Sequence, residues 1–261
     1  MTRSQAAPSS AFTSNLRHRG APIHVPIDVA HRFAEVKCRL AGADIGSALQ
    51  ILARSAADTV PGAELAGVTL IRKGKLHTAA ATGDVVRHVD AIQYVTGSGP
   101  CVDAVAHGTV LNASDLRIDQ RWRRVGQEAY ESAGIVSVLS IPLMSDDGGA
   151  AGALNTYSRQ FAAFDDSSES IGLLLASYGE LALAGADARR RADNLFVALT
   201  NSRDIGVAMG VLMDRHKITR EQAFDLLRLA SRQRHQKLSA IALAVGDTGE
   251  LPVPETKKRT R

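Results

Sequence analysis

The sequence predicts three pieces in series: an α+β domain built on an antiparallel sheet, a coiled-coil-like linking helix, and a C-terminal all-α unit of three helices. Three observations predict them. A hairpin pattern and further strand-like runs lie between Gly67 and Tyr157, no proline occurs from Asp166 until Pro252, and three amphipathic segments follow Asn194. A chain of 261 residues exceeds one average domain and suits two modules.

Residues 1–27 are rich in Ser, Ala and Arg and lack the apolar stretch that a secretory signal needs, so they read as a disordered leader. Ile45, Leu49, Leu52 and Ala56 then recur at three- and four-residue steps, giving a helix with one apolar face to lay on a sheet. In Gly67 to Gly83, Val68 and Leu70 alternate with smaller or polar residues, Lys73-Gly74 supplies a turn, and Leu76 to Ala80 returns. This is a hairpin. Gly99-Pro100 opens a short helical segment, Cys101 to His107, which Gly108 closes. Val110-Leu111, Val136 to Leu143 and Gly152 to Tyr157 are further strands, with Asp146-Asp147-Gly148-Gly149 turning between the last two. Strands at uneven spacing among helices suggest an α+β sheet, open on one face to a small cavity.

From Asp166 the pattern changes. Asp166-x-x-Glu169 resembles a capping box with Asp166 as N-cap, and Ile171, Leu174, Tyr178, Leu181, Gly185, Ala188, Ala192, Leu195 and Leu199 alternate at steps of three and four. The linking helix, over 166–200, therefore either pairs with a second copy through this seam or packs on its own sheet. The seam's centre, Gly185, Ala188 and Ala192, is small and contributes little burial.

Beyond it, Leu195, Leu199, Ile205, Ala208 and Leu212 read as one apolar face continuing the linker. A second helix starts at the capping box Thr219-x-x-Gln222 and carries Ala223, Phe224, Leu227 and Ala230 on one side. A third, Lys237 to Val245, uses Leu238, Ile241, Ala242 and Val245. Residues 247–261 read as a disordered basic tail.

Charge divides along the same lines. The net +4 averages +7 over Arg189 to Arg261, −6 over Cys38 to Ala188 and +3 over the first 37 residues. An acidic middle joined to a basic end is the asymmetry of a chain that meets a polyanion with one part only, although solvated arginine-bearing helices would look alike. Two cysteines, Cys38 and Cys101, without a Cys-x-x-Cys, exclude a disulfide scaffold and a structural zinc site and fit a reducing cytoplasm. No cofactor is called for. The apolar run Ile171 to Ala176 is far short of the ~20 residues that span a bilayer, so no membrane segment is expected.

Few residues of the middle module carry chemistry. Cys101, just after Gly99-Pro100, is a redox candidate if a helix start lowers its pKa, and a small buried hydrophobe otherwise. His77, His88 and His107 lie on separate elements without ligand spacing, and Asp103, Asp115 and Asp119 suit turns or caps.

Several runs in order carry a resemblance: Gly97-Ser98-Gly99-Pro100-Cys101-Val102-Asp103-Ala104, Asp115-Leu116 with Arg121-Trp122, Gly134 to Leu143, Gly152 to Ser158, and Phe164-Asp165-Asp166. Together they resemble a GAF domain over residues 40–184. The resemblance implies a six-stranded antiparallel sheet, a pocket between sheet and loops that often holds a small ligand, and dimerisation. Cyclic-nucleotide-binding members share an Asn-Lys-Phe-Asp-Glu set, whereas here Thr156 follows Asn155, so the signal molecule is left unknown.

The C-terminal residues Leu199, Arg203, Ile205, Ala208, Gly210, Leu212-Met213, Ala223-Phe224, Leu227, Ser231, Lys237-Leu238 and Ala242 resemble an ANTAR domain over 187–246. This implies a dimer that binds paired RNA stem-loops with six-nucleotide loops, so that a terminator hairpin cannot form and transcription continues. Met209 stands where many members have Lys, which removes a phosphate contact. The residue chemistry agrees. Phe196 and Phe224 are the only aromatics after Gly179, so stacking and phosphate contact fall to guanidinium groups. Candidate contacts are Arg203, Arg215, Arg220, Arg232, Arg234 and Lys237, with Ser231 as a hydroxyl partner and Gly210 allowing close backbone approach. The whole reads as a cytoplasmic, non-enzymatic antitermination regulator acting as a homodimer. The competing readings are a DNA-binding helix-turn-helix protein and a GAF-type thiol enzyme, since some GAF domains reduce free methionine sulfoxide.

Overall fold

The computed structural model describes residues 27–252. The expected leader and most of the expected tail lie outside them. The described residues form two compact units, one ending at Leu183 and one beginning at Ala184.

The first unit contains α1 (Ile27–Leu40), α2 (Ile45–Thr59), β1 (Leu65–Arg72), β2 (Lys75–Ala81), α3 (Asp84–Thr96), α4 (Pro100–His107), β3 (Leu111–Ala113), α5 (Arg123–Ala133), β4 (Ser137–Met144) and β5 (Ala150–Ser158). The strands form one antiparallel sheet in the order β2-β1-β5-β4-β3. Five strands are present among the described residues, where the family resemblance implied six. The predicted hairpin is β1 and β2, turned at Lys73-Gly74, and β4 and β5 pair in the register Ser140 with Asn155.

Alternation along β4 and β5 sends successive side chains to opposite faces of the sheet. Leu139, Ile141, Leu143 and Leu154 join Leu49, Leu52 and Ala56 of α2, Phe33 and Val36 of α1, and Ile171 and Leu175 of the following helix. Val138 and Tyr157 face the other way, toward Val86 and Val89 of α3, Trp122, and Val125 of α5. Gly126 lets α5 lie against the chain at Leu116: a Cβ there would stand 1.7 Å from the Leu116 carbonyl oxygen. Nothing larger fits.

The helix α6 (Asp166–His216) runs from the first unit into the second. Its cap is one residue earlier than expected. Asp165, not Asp166, accepts from the Ser168 amide, and the Ser168 hydroxyl accepts from the Asp165 amide, which completes the reciprocal box. The predicted seam also divides. Ile171 is buried and Tyr178 stacks on Phe33, so the start of α6 packs on its own domain, while Leu174, Leu181, Leu195 and Leu199 are exposed. Nor do Leu195 and Leu199 share a face with the helical core: they are 60% and 62% exposed, whereas Ala208 and Leu212 are fully buried. An offset of nine residues, Leu199 to Ala208, is two and a half helical turns and puts them on opposite sides.

One 18-residue stretch of α6 reaches a mean hydropathy of 1.3, enough by length and composition to cross a membrane. A helix whose apolar face pairs with another helix passes the same test, so this observation weighs little.

In the second unit, α7 (Arg220–Arg234) and α8 (Leu238–Thr248) pack on the end of α6. The box at Thr219 and Gln222 forms as predicted, with both reciprocal hydrogen bonds. Ala223, Leu227, Ile241, Ala242 and Val245 close on Ala208 and Leu212. The segment expected as tail from residue 247 is still helical at Asp247-Thr248, and Gly249 caps α8 in the left-handed region.

Candidate functional site

Two regions concentrate polar chemistry, one in each unit. The first lies between the sheet and α3. From α3, Asp90, Gln93 and Tyr94 turn inward; from the sheet come Thr69, Thr78, Asn155 and Tyr157, and from α4 comes Cys101. Asp90 is fully buried and accepts from the Tyr157 hydroxyl on one oxygen and from Thr78, at 2.7 Å, on the other. Tyr94 sits 3.1 Å from Thr78 and 2.8 Å from Thr69. Asn155 donates to Thr69 at 3.0 Å and to the Cys101 sulfur at 3.1 Å.

The donor directions follow from Asp90. An ionised carboxylate only accepts. Thr78 therefore gives its proton to Asp90, takes one from Tyr94, and Tyr94 takes one from Thr69. The result is an oriented chain across three elements, β1, α3 and β2. Burial raises the Asp90 carboxyl to about 6 against the lowering pull of its Tyr157 and Thr78 hydrogen bonds. Gln93 Nε2 and Asn155 Oδ1, also buried, find no partner among the described residues.

Cys101 belongs to this interior. It is fully buried, its thiol donates to Thr69 at 3.3 Å, and burial, with Asp90 nearby, pushes it up to about 12. The redox reading of Cys101 calls for an accessible thiol of lowered pKa, whereas the thiol here is fully buried and shifted upward. Gly99, at φ +135°, turns the chain into α4 where a Cβ would strike Gln93. A thiol reagent at mildly alkaline pH is expected to label exposed Cys38 in the native chain and Cys101 only after unfolding. Rapid native labelling of both sulfurs would contradict the packing described.

Of the acids expected in turns or caps, Asp115 and Asp119 sit in turns, whereas Asp103 anchors an indole instead. Asp115 and Asp119 each accept from the amide and guanidinium two residues on, and Asp103 accepts from the Trp122 indole at 2.6 Å. Of the partial cyclic-nucleotide set, Asn155 binds Thr69 and Cys101, Phe164 is core, and Asp165 caps α6. Among the described residues no group of three His, Cys, Asp or Glu stands where a metal could be held.

The second region is the helical unit, where the eight sequence-predicted contacts are not equivalent. Arg203, Arg220, Arg232 and Lys237 are exposed and in no ion pair among the described residues. Arg215 is engaged, donating to the Gly249 carbonyl at 2.8 Å and pairing with Glu250 at 2.7 Å. Arg234 is half-buried, and Ser231 donates to the Gln236 carbonyl at 2.7 Å, closing the turn after α7. Around Gly210 and Gly206 nothing lies within 4 Å of an added Cβ, so Gly210 does not serve internal helix packing. Met209 is half-buried against the helical core. Phe196 is 72% exposed on α6 beside Leu195 and Val197, an aromatic that sequence reasoning does not offer as a platform.

A sheet with helices on both faces, followed by a long helix and a basic three-helix end, defines a sensor-type domain coupled to a helical effector. The chain belongs to the GAF domain family, whose profile matches residues 42–184, and carries an ANTAR domain at residues 193–245. Among solved structures it is similar to the GAF domain of a phosphoenolpyruvate-protein phosphotransferase from Coxiella burnetii, at 16% identity and a TM-score of 0.51 over 63% of this chain and 98% of that one. The corresponding Acinetobacter domain gives 15% identity and a TM-score of 0.50 over 64% and 99%. A free methionine-R-sulfoxide reductase from Neisseria meningitidis, in complex with its substrate, gives 20% and 0.49 over 66% and 98%. At these identities the likeness is one of fold. No curated protein matches the chain. A GAF domain joined to an ANTAR domain is the domain content of a regulator that couples sensing to RNA-binding antitermination.

Proposed function

We propose that the chain is a cytoplasmic, non-enzymatic antitermination regulator in which two copies bind paired RNA stem-loops under control of the GAF domain. The observation that carries this is the ANTAR domain at residues 193–245, presenting exposed cations on a helical unit that has only two aromatics. Phosphate contact and guanidinium stacking then supply affinity. Cys101, buried and raised, offers no thiolate for a sulfoxide reduction, which favours a sensing over a catalytic role for the first unit.

The pairing surface is the exposed side of α6, where Leu181, Leu195 and Leu199 continue the heptad spacing. A signal at the GAF domain acts by favouring one pairing of these helices over another. A synthetic RNA carrying two hairpins with six-nucleotide loops is expected to bind the full chain in preference to duplex DNA, with affinity falling steeply as salt rises. Preference for the duplex DNA would select a DNA-binding regulator instead. Sedimentation should show a dimer that Leu195→Asp with Leu199→Asp converts to monomer; a monomeric parent chain would remove the pairing.

A further inference from the structure

The three helices of the second unit run back and forth, and this sorts its charges to two ends. Only Lys217–Thr219 separate α6 from α7, so the start of α7 lies beside the end of α6, and the staple from Arg215 to Gly249 and Glu250 brings the end of α8 to that same place. Only His235–Lys237 join α7 to α8, so the end of α7 and the start of α8 share the opposite place. α7 has 15 residues, and counting back along α6 by that length from His216 arrives beside Arg203. The Gly246 side of α8 stands against Val207, with a Cβ 3.8 Å from Val207 Cγ1. Lys237, nine residues earlier on α8, therefore lies on the Arg203 side of Val207.

At the end where α6 stops, Arg215, Lys217 and Arg220 meet Asp214, Glu221, Asp247 and Glu250, and two of the cations are already paired with these acids. At the other end, Arg203, Arg232 and Lys237 are exposed and in no ion pair among the described residues, and Asp204 is the acid beside them in sequence. One end is neutralised and the other strongly basic. The start of α8 lies at the basic end without a side-chain cap, which adds to its positive potential, whereas the start of α7 at the neutral end is closed by Thr219 and Gln222.

We infer that the basic end, built from Arg203, Arg232 and Lys237, is the RNA phosphate-binding surface, and that Arg215 and Arg220 at the other end take no part in it. This rests on the RNA-binding reading above and narrows it to one surface. Arg215 instead holds α8 to α6. The basic end also lies where the exposed apolar series of α6 stops, since Arg203 follows Leu199 by one helical turn. Two copies paired through that series would present their basic ends side by side, as two hairpins in one RNA require.

The test uses the full chain and the two-hairpin RNA, with affinity measured over a range of salt. Arg203→Gln, Arg232→Gln and Lys237→Gln combined should weaken binding by at least about tenfold and lower the slope of log affinity against log salt by about 2, at ~0.7–0.9 per lost phosphate contact. All three residues are exposed, and an unchanged thermal melt shows that the variant is folded. Lys217→Gln with Arg220→Gln should leave both affinity and slope unchanged. A slope lost in the second variant and kept in the first overturns the inference, as does a slope that vanishes only when residues 253–261 are deleted. Failure of the parent chain to bind the RNA at low salt overturns the RNA-binding reading itself.

Discussion

Replacing Leu227 by alanine is expected to destabilise the helical unit by about 2–5 kcal/mol and to abolish RNA binding while leaving the GAF domain folded. Leu227 is fully buried at the centre of a core of only eight buried side chains, against Ala208, Leu212 and Ile241. A unit of this size buries a modest fraction of its surface, so the loss is a large share of its stability. The chain provides its own reporters. Its single tryptophan, Trp122, is buried in the GAF domain, whereas far-ultraviolet circular dichroism follows the helices of both units. Leu227→Ala should keep the Trp122 transition at the parent's denaturant concentration, with a separate helical loss moved to lower denaturant. If both signals shift together, the two units unfold as one and the division between them is not energetic.

Asp90→Asn is expected to stabilise the GAF domain at neutral pH by up to about 3 kcal/mol and to flatten its pH dependence, a tenfold change in proton affinity being worth about 1.36 kcal/mol. The folded carboxyl is raised from an ordinary 3.8 to about 6 by burial, so the folded state holds its proton more tightly than the unfolded chain does. Such a group contributes its stability fully below about pH 4 and loses it as pH rises through about 6. Arg87 is the cation acting on it, weakly, and the hydroxyls that donate to it are those of Tyr157 and Thr78, with Tyr94 beside them. Asparagine keeps an acceptor for Tyr157. Its amide donates to Thr78, which then donates to Tyr94, and Tyr94 to Thr69; the reversed chain ends at Thr69, already an acceptor from Asn155 and Cys101, so one proton there is left unmatched and the gain falls below that ceiling. Partly buried carboxylates such as Asp115 and Asp119, held low by Arg117 and Arg121, act in the opposite sense, and the comparison of parent with variant cancels them. Denaturant midpoints that run parallel from about pH 5 to about pH 8 would show that Asp90 is not the titrating group.

The elements most legible in the sequence are those marked by local chemistry. Glycine turns and strand alternation exposed the hairpin, the short helix before Gly108 and the β4–β5 pair; Thr219 and Gln222 marked the start of α7. What the sequence hid was long-range. α3 carries polar residues, Asp90 and Gln93, on a face that turns out to be buried, and the buried face of α5 is only Val125, Gly126 and Ala129, so the periodicity of both is masked. Asp90, Gln93 and Tyr94 follow Val86 along one helical stripe, at a first step of four and then of three and one. That stripe was the available signal for the polar interior. On α6 the same three-four spacing serves the sheet at Ile171 and Leu175 and solvent at Leu195 and Leu199. Spacing alone does not say where the change falls. The arginines were legible as a set, but only the path of the helices sorts them by end.

Pairing through the exposed leucines of α6, as proposed, would make the abundance of this protein a regulatory variable in its own right. Association through Leu181, Leu195 and Leu199 would obey mass action, as any self-association does. Doubling the chain's concentration would then raise the assembled form more than twofold at the dilute limit. A cell would thereby set the threshold of the response by how much of the protein it makes, before any signal arrives.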